Sequence, residues 1–391
     1  MNTHRIVIAG AGYAGVSCAL RLARRVPDAA SVTLVSATDR FVERIRLHQR
    51  VTGQNVGDWS LPGLIRGTGI QLRVGVVAGV DYSNRVLHVG SERIDFDTLV
   101  LALGSHVDID SVKGVREHAM AVEFRSVPDI HRALQKAAAH RGRVTIVGGG
   151  LTGIELASEI AESFADLQVS LVSQTPLAET WSEAAHAHAL ASLRRLRVRV
   201  EEGPHISAVH ARHLDTDRGA MPFDLCIWAG GFVAHSLAWN SGLKVNQHGQ
   251  ALVDLQMRSV SQPDVHVIGD LAAIAPELTP QIPMGCKSAM PAGAWAAENI
   301  ARRLRGQSEQ SLQYAVPFFC VSLGRHDGLI QKAARDGSMT GRVLTHRRGA
   351  WFKEFICRST MWALKMERAG ISGIQWVRSR PASDLEAPQA G

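Results

Sequence analysis

Two stretches decide the fold: Arg5-Ile-Val-Ile-Ala-Gly10-Ala-Gly12-Tyr13-Ala14-Gly15 and Arg143-Val-Thr-Ile-Val-Gly148-Gly149-Gly150-Leu-Thr-Gly153-Ile-Glu155. Each is a short apolar run, then a glycine turn, then an alanine-rich helical pattern. That order reads as a buried parallel strand, a tight turn and a helix N-terminus, the setting in which a dinucleotide pyrophosphate is held. Gly10 and Gly148 permit the turn. Gly12 and Gly150 let backbone N–H groups approach phosphate, and Gly15 and Gly153 let helix and strand pack closely. The helix dipole and its unpaired N–H groups favour the anion. Two such loops in one chain imply two dinucleotides, and electron transfer between them.

Working outward, Ser31–Val35 and Val169–Val172 supply partner strands, and residues 71–96 and 198–223 read as antiparallel meanders. Leu99–Ser105 and Asp224–Gly231 are buried strands ending in glycine turns at Gly104 and Gly230. The pattern of strand, glycine loop, helix, strand, meander, strand and turn is therefore written twice, in domain-sized copies. After it comes Val265-His-Val-Ile-Gly269-Asp270, a loop with Pro276, Pro280 and Pro283, and a helical pattern over Pro291–Arg305. Residues 313–376 are richer in aromatics, and the tail from Val377 is polar and expected to fray.

At 391 residues, two or three domains are expected. Hydrophobic residues are 46% and charged residues 20%, ordinary for a globular core. No apolar run approaches the roughly 20 residues that cross a bilayer. The chain enters a strand almost at once, which leaves no room for a signal peptide and makes the cytoplasm the expected location. The net charge is +7, yet nothing resembles a nucleic-acid-binding motif, so no nucleic-acid partner is expected. The cysteines, at 18, 226, 286, 320 and 357, include no C-x-x-C pair. That disfavours chemistry through a redox disulfide. The histidines show no metal-ligand spacing, and no metal is expected.

In motif order the chain resembles the two-dinucleotide-binding-domain flavoproteins of the pyridine nucleotide-disulfide oxidoreductase superfamily. The resemblance covers about residues 4–310. Gly10–Gly15 matches the family's FAD loop, Gly148–Glu155 its NAD(P)H loop and Gly269-Asp270 its Gly-Asp motif, with Leu103 where an Ala-Thr-Gly segment carries threonine. Phe41–Gln49, Ser322–Gly328 and Lys353–Leu364 look like the apoptosis-inducing-factor and type II NADH dehydrogenase branch. The resemblance implies an α/β fold with two Rossmann-like domains of the glutathione-reductase type and a small α+β C-terminal domain. The expected boundaries are 1–110 and 235–312 for the FAD domain, 111–234 for the NAD(P)H domain and 313–391 for the C-terminal domain. It implies FAD, and NADH or NADPH, as cofactors, with Asp270 on the ribityl chain and the helix from Pro291 aimed at the flavin.

The chain departs from that family at two places. Ser36 occupies the ribose-binding position that usually carries an acid, with Asp39 the nearest one. Cys286-Lys-Ser-Ala-Met-Pro291 replaces a paired-glutamine quinone motif. At the second loop, Ser173-Gln174-Thr175 lacks the acid that selects NAD, and no arginine is seen there to clamp a 2′-phosphate. Glu155 is unhelpful to a pyrophosphate, so it either caps its helix or orders hydride transfer near the nicotinamide. Arg44, Arg46 and His48 lie where the family brings a loop to the flavin's rim. There they would tune the flavin or bind an acidic substrate, unless the loop is simply solvated. Around Trp351–Met366, Phe352, Phe355, Ile356, Ala363 and Met366 share one helix face, suited to the core, to a homodimer contact or to the inner face of a membrane. The expected activity is hydride transfer from NAD(P)H to FAD and then electron delivery to a small organic acceptor such as a quinone. The alternatives are a specialised-metabolism flavoenzyme acting on one product and a flavin-based redox sensor.

Overall fold

A computed structural model describes residues 3–278, 282–334 and 338–376. The tail from Val377, and Pro280 in the proline-rich loop, lie outside the described residues.

Two five-stranded parallel sheets share the order of four strands and differ in where the chain supplies the fifth, at one edge. The first runs Val265–Val267, Thr98–Leu101, His4–Ala9, Ala30–Ser36 and Gln71–Val74. The second runs Met120–Ala121, Leu225–Trp228, Arg143–Val147, Gln168–Ser173 and Arg199–Glu202. Their central strands are buried almost throughout, which is why they read as unbroken apolar runs. Each sheet carries a three-stranded antiparallel meander, Val77–Asp81 to Glu92–Asp95 in one and Ile206–Val209 to Gly219–Pro222 in the other. The sequence reading had extended both meanders too far back. Gln71–Val74 and Arg199–Glu202 instead close the parallel sheets. As edge strands they are exposed or half-buried and bury no residue fully, so their polar texture resembles that of a meander strand.

The repeats are stitched together where Ser105–Val107 pairs antiparallel with Phe232–Ala234. A glycine with positive φ precedes each of these strands, Gly104 at 72° and Gly231 at 82°. The turn conformation thus falls on Gly231, the second glycine of the Gly230-Gly231 pair.

The helix expected from Pro291 begins five residues earlier, as Cys286–Leu304, with Gly285 at its N-cap. Proline inside a helix leaves the carbonyl four residues back without its N–H partner. Here that carbonyl, of Lys287, accepts the Tyr314 hydroxyl at 2.8 Å, so the helix continues through Pro291.

Residues beyond 313 form an antiparallel sheet, Phe318–Ser322, Gly328–Ala333 and Met339–Leu344, and the helix His346–Arg368. That helix buries Cys357, Thr360, Met361 and Leu364. The apolar face expected from sequence points partly outward: Phe355 is 40% and Met366 41% exposed, beside Trp351 at 70% and Trp362 at 52%. Among the described residues no helix is long and apolar enough to cross a membrane.

Candidate active site

Both glycine loops have the geometry of a phosphate cradle. A Cβ on Gly15 would lie 1.8 Å from the Gly10 carbonyl oxygen, and one on Gly153 would lie 1.9 Å from that of Gly148. A Cβ on Gly12 or Gly150 would instead meet nothing within 4 Å. No side chain caps either helix, so the first N–H groups of each are free for an anion. These features fit a dinucleotide at each loop.

The first cradle is completed by Asp270. Its carboxylate accepts the Ser105 hydroxyl and the Gly285 N–H, each at 2.8 Å. Gly269 brings the segment against the loop, since a Cβ there would lie 3.0 Å from that of Ala14. Tyr13 is buried edge-on to Phe41 at 5.1 Å. Arg44 donates to the Ser105 carbonyl at 2.5 Å and lies over the Phe232 ring, which ties it to the Gly104 turn. Ser36 ends its strand beside Gly75, whose N–H it accepts at 2.8 Å. Asp39 is turned to Arg40.

Glu155 points away from the pyrophosphate cradle into a buried charged cluster. Its Oε1 is 2.8 Å from Lys353 Nζ and accepts the Ser322 N–H at 3.0 Å. Its Oε2 is 3.4 Å from His48 Nδ1. Burial pushes the Glu155 carboxyl up, but Lys353 and His48 outweigh it and hold the group below its usual range. Burial also opposes the Lys353 charge, and the Cys320 sulfur and Glu155 together hold the ammonium well above its usual range. His48 is lowered to about 4, chiefly by burial. It is therefore neutral at pH 7. With Nδ1–H facing the carboxylate, its Nε2 is a bare acceptor, with no partner among the described residues.

His48 and Lys353 of this cluster line a cleft of about 560 Å³, together with Gln49, Gln54, Arg325, Arg347, Trp351 and Arg358, among others. Arg46 borders it but is already engaged. Both its terminal nitrogens meet the Glu354 carboxylate at 2.9 Å, and one also donates to Gln49 at 2.8 Å. The stretch carrying Arg44, Arg46 and His48 is a short 3-10 turn and helix, Arg44–Arg46 and Leu47–Val51, rather than an open loop.

Lys353 was not singled out from sequence. It lies 198 residues from Glu155 in the chain, and only the packing of the C-terminal helix brings the two together. Cys286, Cys320 and Cys357 also gather around Lys353 from three separate elements. His188, Asp327 and His346 likewise converge despite their spacing, but Asp327 is already held by Ser192, Arg195, His188 and the Gly328 N–H.

A family model described as pyridine nucleotide-disulphide oxidoreductase matches residues 4–302, and the chain belongs to that family. By that family it is an oxidoreductase that uses a pyridine nucleotide. Among curated relatives, demethylphylloquinone reductase NdbB of Synechocystis is 25% identical over 404 residues, spanning 97% of each chain. A type II NADH:quinone oxidoreductase of Staphylococcus aureus is 24% identical, spanning 90% of this chain and 94% of its own. The sulfide:quinone oxidoreductase of Aquifex aeolicus superposes with a TM-score of 0.81 at 16% identity, across 95% of this chain and 93% of that one. NDH2 of Plasmodium falciparum, solved with NADH, gives 0.78 at 15%, across 96% and 100%. At such identities the likeness to the solved structures is one of fold.

Proposed function

We propose that the chain carries reducing equivalents from NAD(P)H through FAD to a quinone-like acceptor that enters the cleft lined by His48 and Lys353, the latter paired with Glu155. The observation that carries this reading is the buried Glu155–Lys353 pair at 2.8 Å, beside the bare His48 Nε2. When bound, the flavin supplies the exchange between a hydride donor and the acceptor. The chain's own residues then manage charge and hydrogen bonds. Lys353 presents charged N–H donors to a carbonyl oxygen and stabilises negative charge that develops there, while Glu155 keeps the ammonium charged in a buried setting. His48 Nε2 can accept a hydroxyl proton in a hydrogen bond. Burial pushes Cys286 to about 12 and Cys357 to about 11. Both therefore stay protonated and poorly nucleophilic at neutral pH, which supports an acceptor that is reduced without a disulfide step.

The exposed line of Trp351, Phe355 and Trp362, with Arg347, Arg348 and Lys365 on the same helix, supports docking on an anionic lipid surface. The test is an absorption spectrum, anaerobic addition of NADH and NADPH, then turnover of a quinone supplied in water, in neutral vesicles and in anionic vesicles. Bleaching of the flavin bands and faster turnover on anionic vesicles are expected. Glu155→Gln should keep its flavin and lose about 100-fold in turnover, the scale of a lost charge-stabilising donor. A colourless protein even after added FAD, or an unimpaired variant, would sink the mechanism. Equal rates on the two vesicle types would leave the aromatic face to self-association.

A further inference from the structure

Where the second glycine loop meets the end of strand Gln168–Ser173, the structure supplies a cation that the neighbouring sequence lacks. The loop touches the strand end directly, since a Cβ on Gly149 would lie 2.0 Å from Ser173 Oγ. The adjacent strand end is tied in by the Gly203 N–H, which donates to the Ser173 carbonyl at 2.8 Å. Over this junction folds the hairpin turn between His213–Thr216 and Gly219–Pro222. Its Arg218 donates to the Glu202 carbonyl at 3.1 Å, and an Arg218 nitrogen lies 2.6 Å from where a Gly203 Cβ would be.

Arg218 is exposed and, among the described residues, pairs with no carboxylate. The two acids nearby are occupied. Asp217 Oδ1 accepts the His205 N–H at 2.8 Å, and Glu202 Oε1 faces the Leu177 N–H at 2.6 Å and His186 at 2.9 Å. His205 Nδ1 meets Gln174 Oε1 at 3.1 Å, which leaves the Gln174 amide NH₂ free to donate. In an open parallel sheet, ligands bind outside the carboxyl ends of the strands, and a coenzyme's adenosine ribose lies at the end of the second strand. An acid there selects the 2′-hydroxyl, whereas a guanidinium fork matches a 2′-phosphate.

The geometry points to Arg218, assisted by Gln174, as the group that reads a coenzyme 2′-phosphate, so that this site takes NADPH in preference to NADH. The inference rests on the reading that the second loop holds a nicotinamide dinucleotide. Calorimetry on the full flavin-loaded chain with 2′-phospho-ADP-ribose and with ADP-ribose tests it without turnover. The unaltered protein should bind the phosphorylated compound at least about tenfold more tightly, a difference of ~1.4 kcal/mol. Arg218→Ala should erase that preference and leave ADP-ribose binding within about twofold, and Arg218→Lys should fall between. Kinetics should agree, with kcat/KM for NADPH falling and that for NADH unchanged. The preference of the unaltered protein should also shrink with salt, which keeps the test open if a variant folds poorly. Equal binding of the two compounds by the unaltered protein, or equal weakening of both by Arg218→Ala, would overturn the inference. If neither compound binds, the dinucleotide reading of the second loop fails, and the inference with it.

Discussion

The two repeats are alike in their backbone and opposite in the charge their first helices carry. Gly10 donates to Val35 and Gly148 to Val172, each at 2.9 Å, and Gly75 and Gly203 donate to Ser36 and Ser173, each at 2.8 Å. Arg5 is clamped by Asp97 as Arg143 is by Asp224. Eleven and fourteen residues past the first glycine of its loop, the first helix places Arg21 and Arg24, whereas the second places Glu159 and Glu162. Arg21 grips Glu367 of the C-terminal helix, with contacts at 2.8 and 2.5 Å. Glu159 and Glu162 hold Arg325, from the turn after Phe318–Ser322. The C-terminal unit is thus strapped to both repeats through equivalent helix positions of reversed sign. Seven residues past the first glycine, Ser17 hydrogen-bonds back to Tyr13 while Glu155 reaches Lys353. The dinucleotide scaffold constrains the backbone. The helix face turned to the C-terminal unit is free to carry either anchorage or chemistry.

The loops offer the hardest test of that equivalence. Gly15→Ala and Gly153→Ala should each introduce a backbone clash of about 3 kcal/mol or more, beyond ordinary overpacking. Gly15→Ala should purify without flavin, and Gly153→Ala should stay yellow but fail to be bleached by either coenzyme. A yellow Gly15→Ala protein would break the assignment of the two loops.

The straps should then differ in strength. Glu367→Gln leaves the buried Arg21 with Glu298 as its remaining countercharge, an expected loss of about 2–3 kcal/mol in chemical denaturation. Glu159→Gln should cost only about 1–2 kcal/mol, because the Arg325 side chain is 34% exposed and can turn to water. Equal losses would mean that exposure does not set the balance.

The last contrast is set by pH. Burial lowers His48, beside the second loop, and His266, in the first sheet, each from 6.5 to about 4. Between those values the unfolded chain binds protons that the folded chain refuses. Stability therefore rises with pH across the window and is lost on acidification, by up to about 1.4 kcal/mol per pH unit for each histidine. Urea midpoints at pH 7, 6 and 5 should show that slope, and His266→Leu should flatten it. An unchanged slope in that variant would remove His266 from the account.

Much of this organisation could be read from sequence because it lies in local patterns. The glycine loops, the repeat, Gly269-Asp270 and Glu155 are all spaced by the turns and strands they serve. Other features depend on contacts far along the chain. The helix start at Cys286 was hidden because Pro291 normally marks a boundary, and only Tyr314, 27 residues from Lys287, makes it tolerable. Lys353 is only the first residue of a family-like segment in the sequence, and Arg218 only one position of the 198–223 meander. Arg46, a reasonable substrate cation in isolation, is taken by Glu354, 308 residues away.

The strand Val265–Val267 has a consequence for how the chain is made. The second sheet draws all its strands from residues 120–228 and can close once that stretch has left the ribosome. The first sheet needs Val265–Val267 beside Thr98–Leu101, so its edge stays unpaired until the whole second repeat has been synthesised. At the usual 5–20 residues per second, translation of the intervening residues holds that edge open for roughly ten seconds or more. During that interval the earlier half of the protein must wait for the later half.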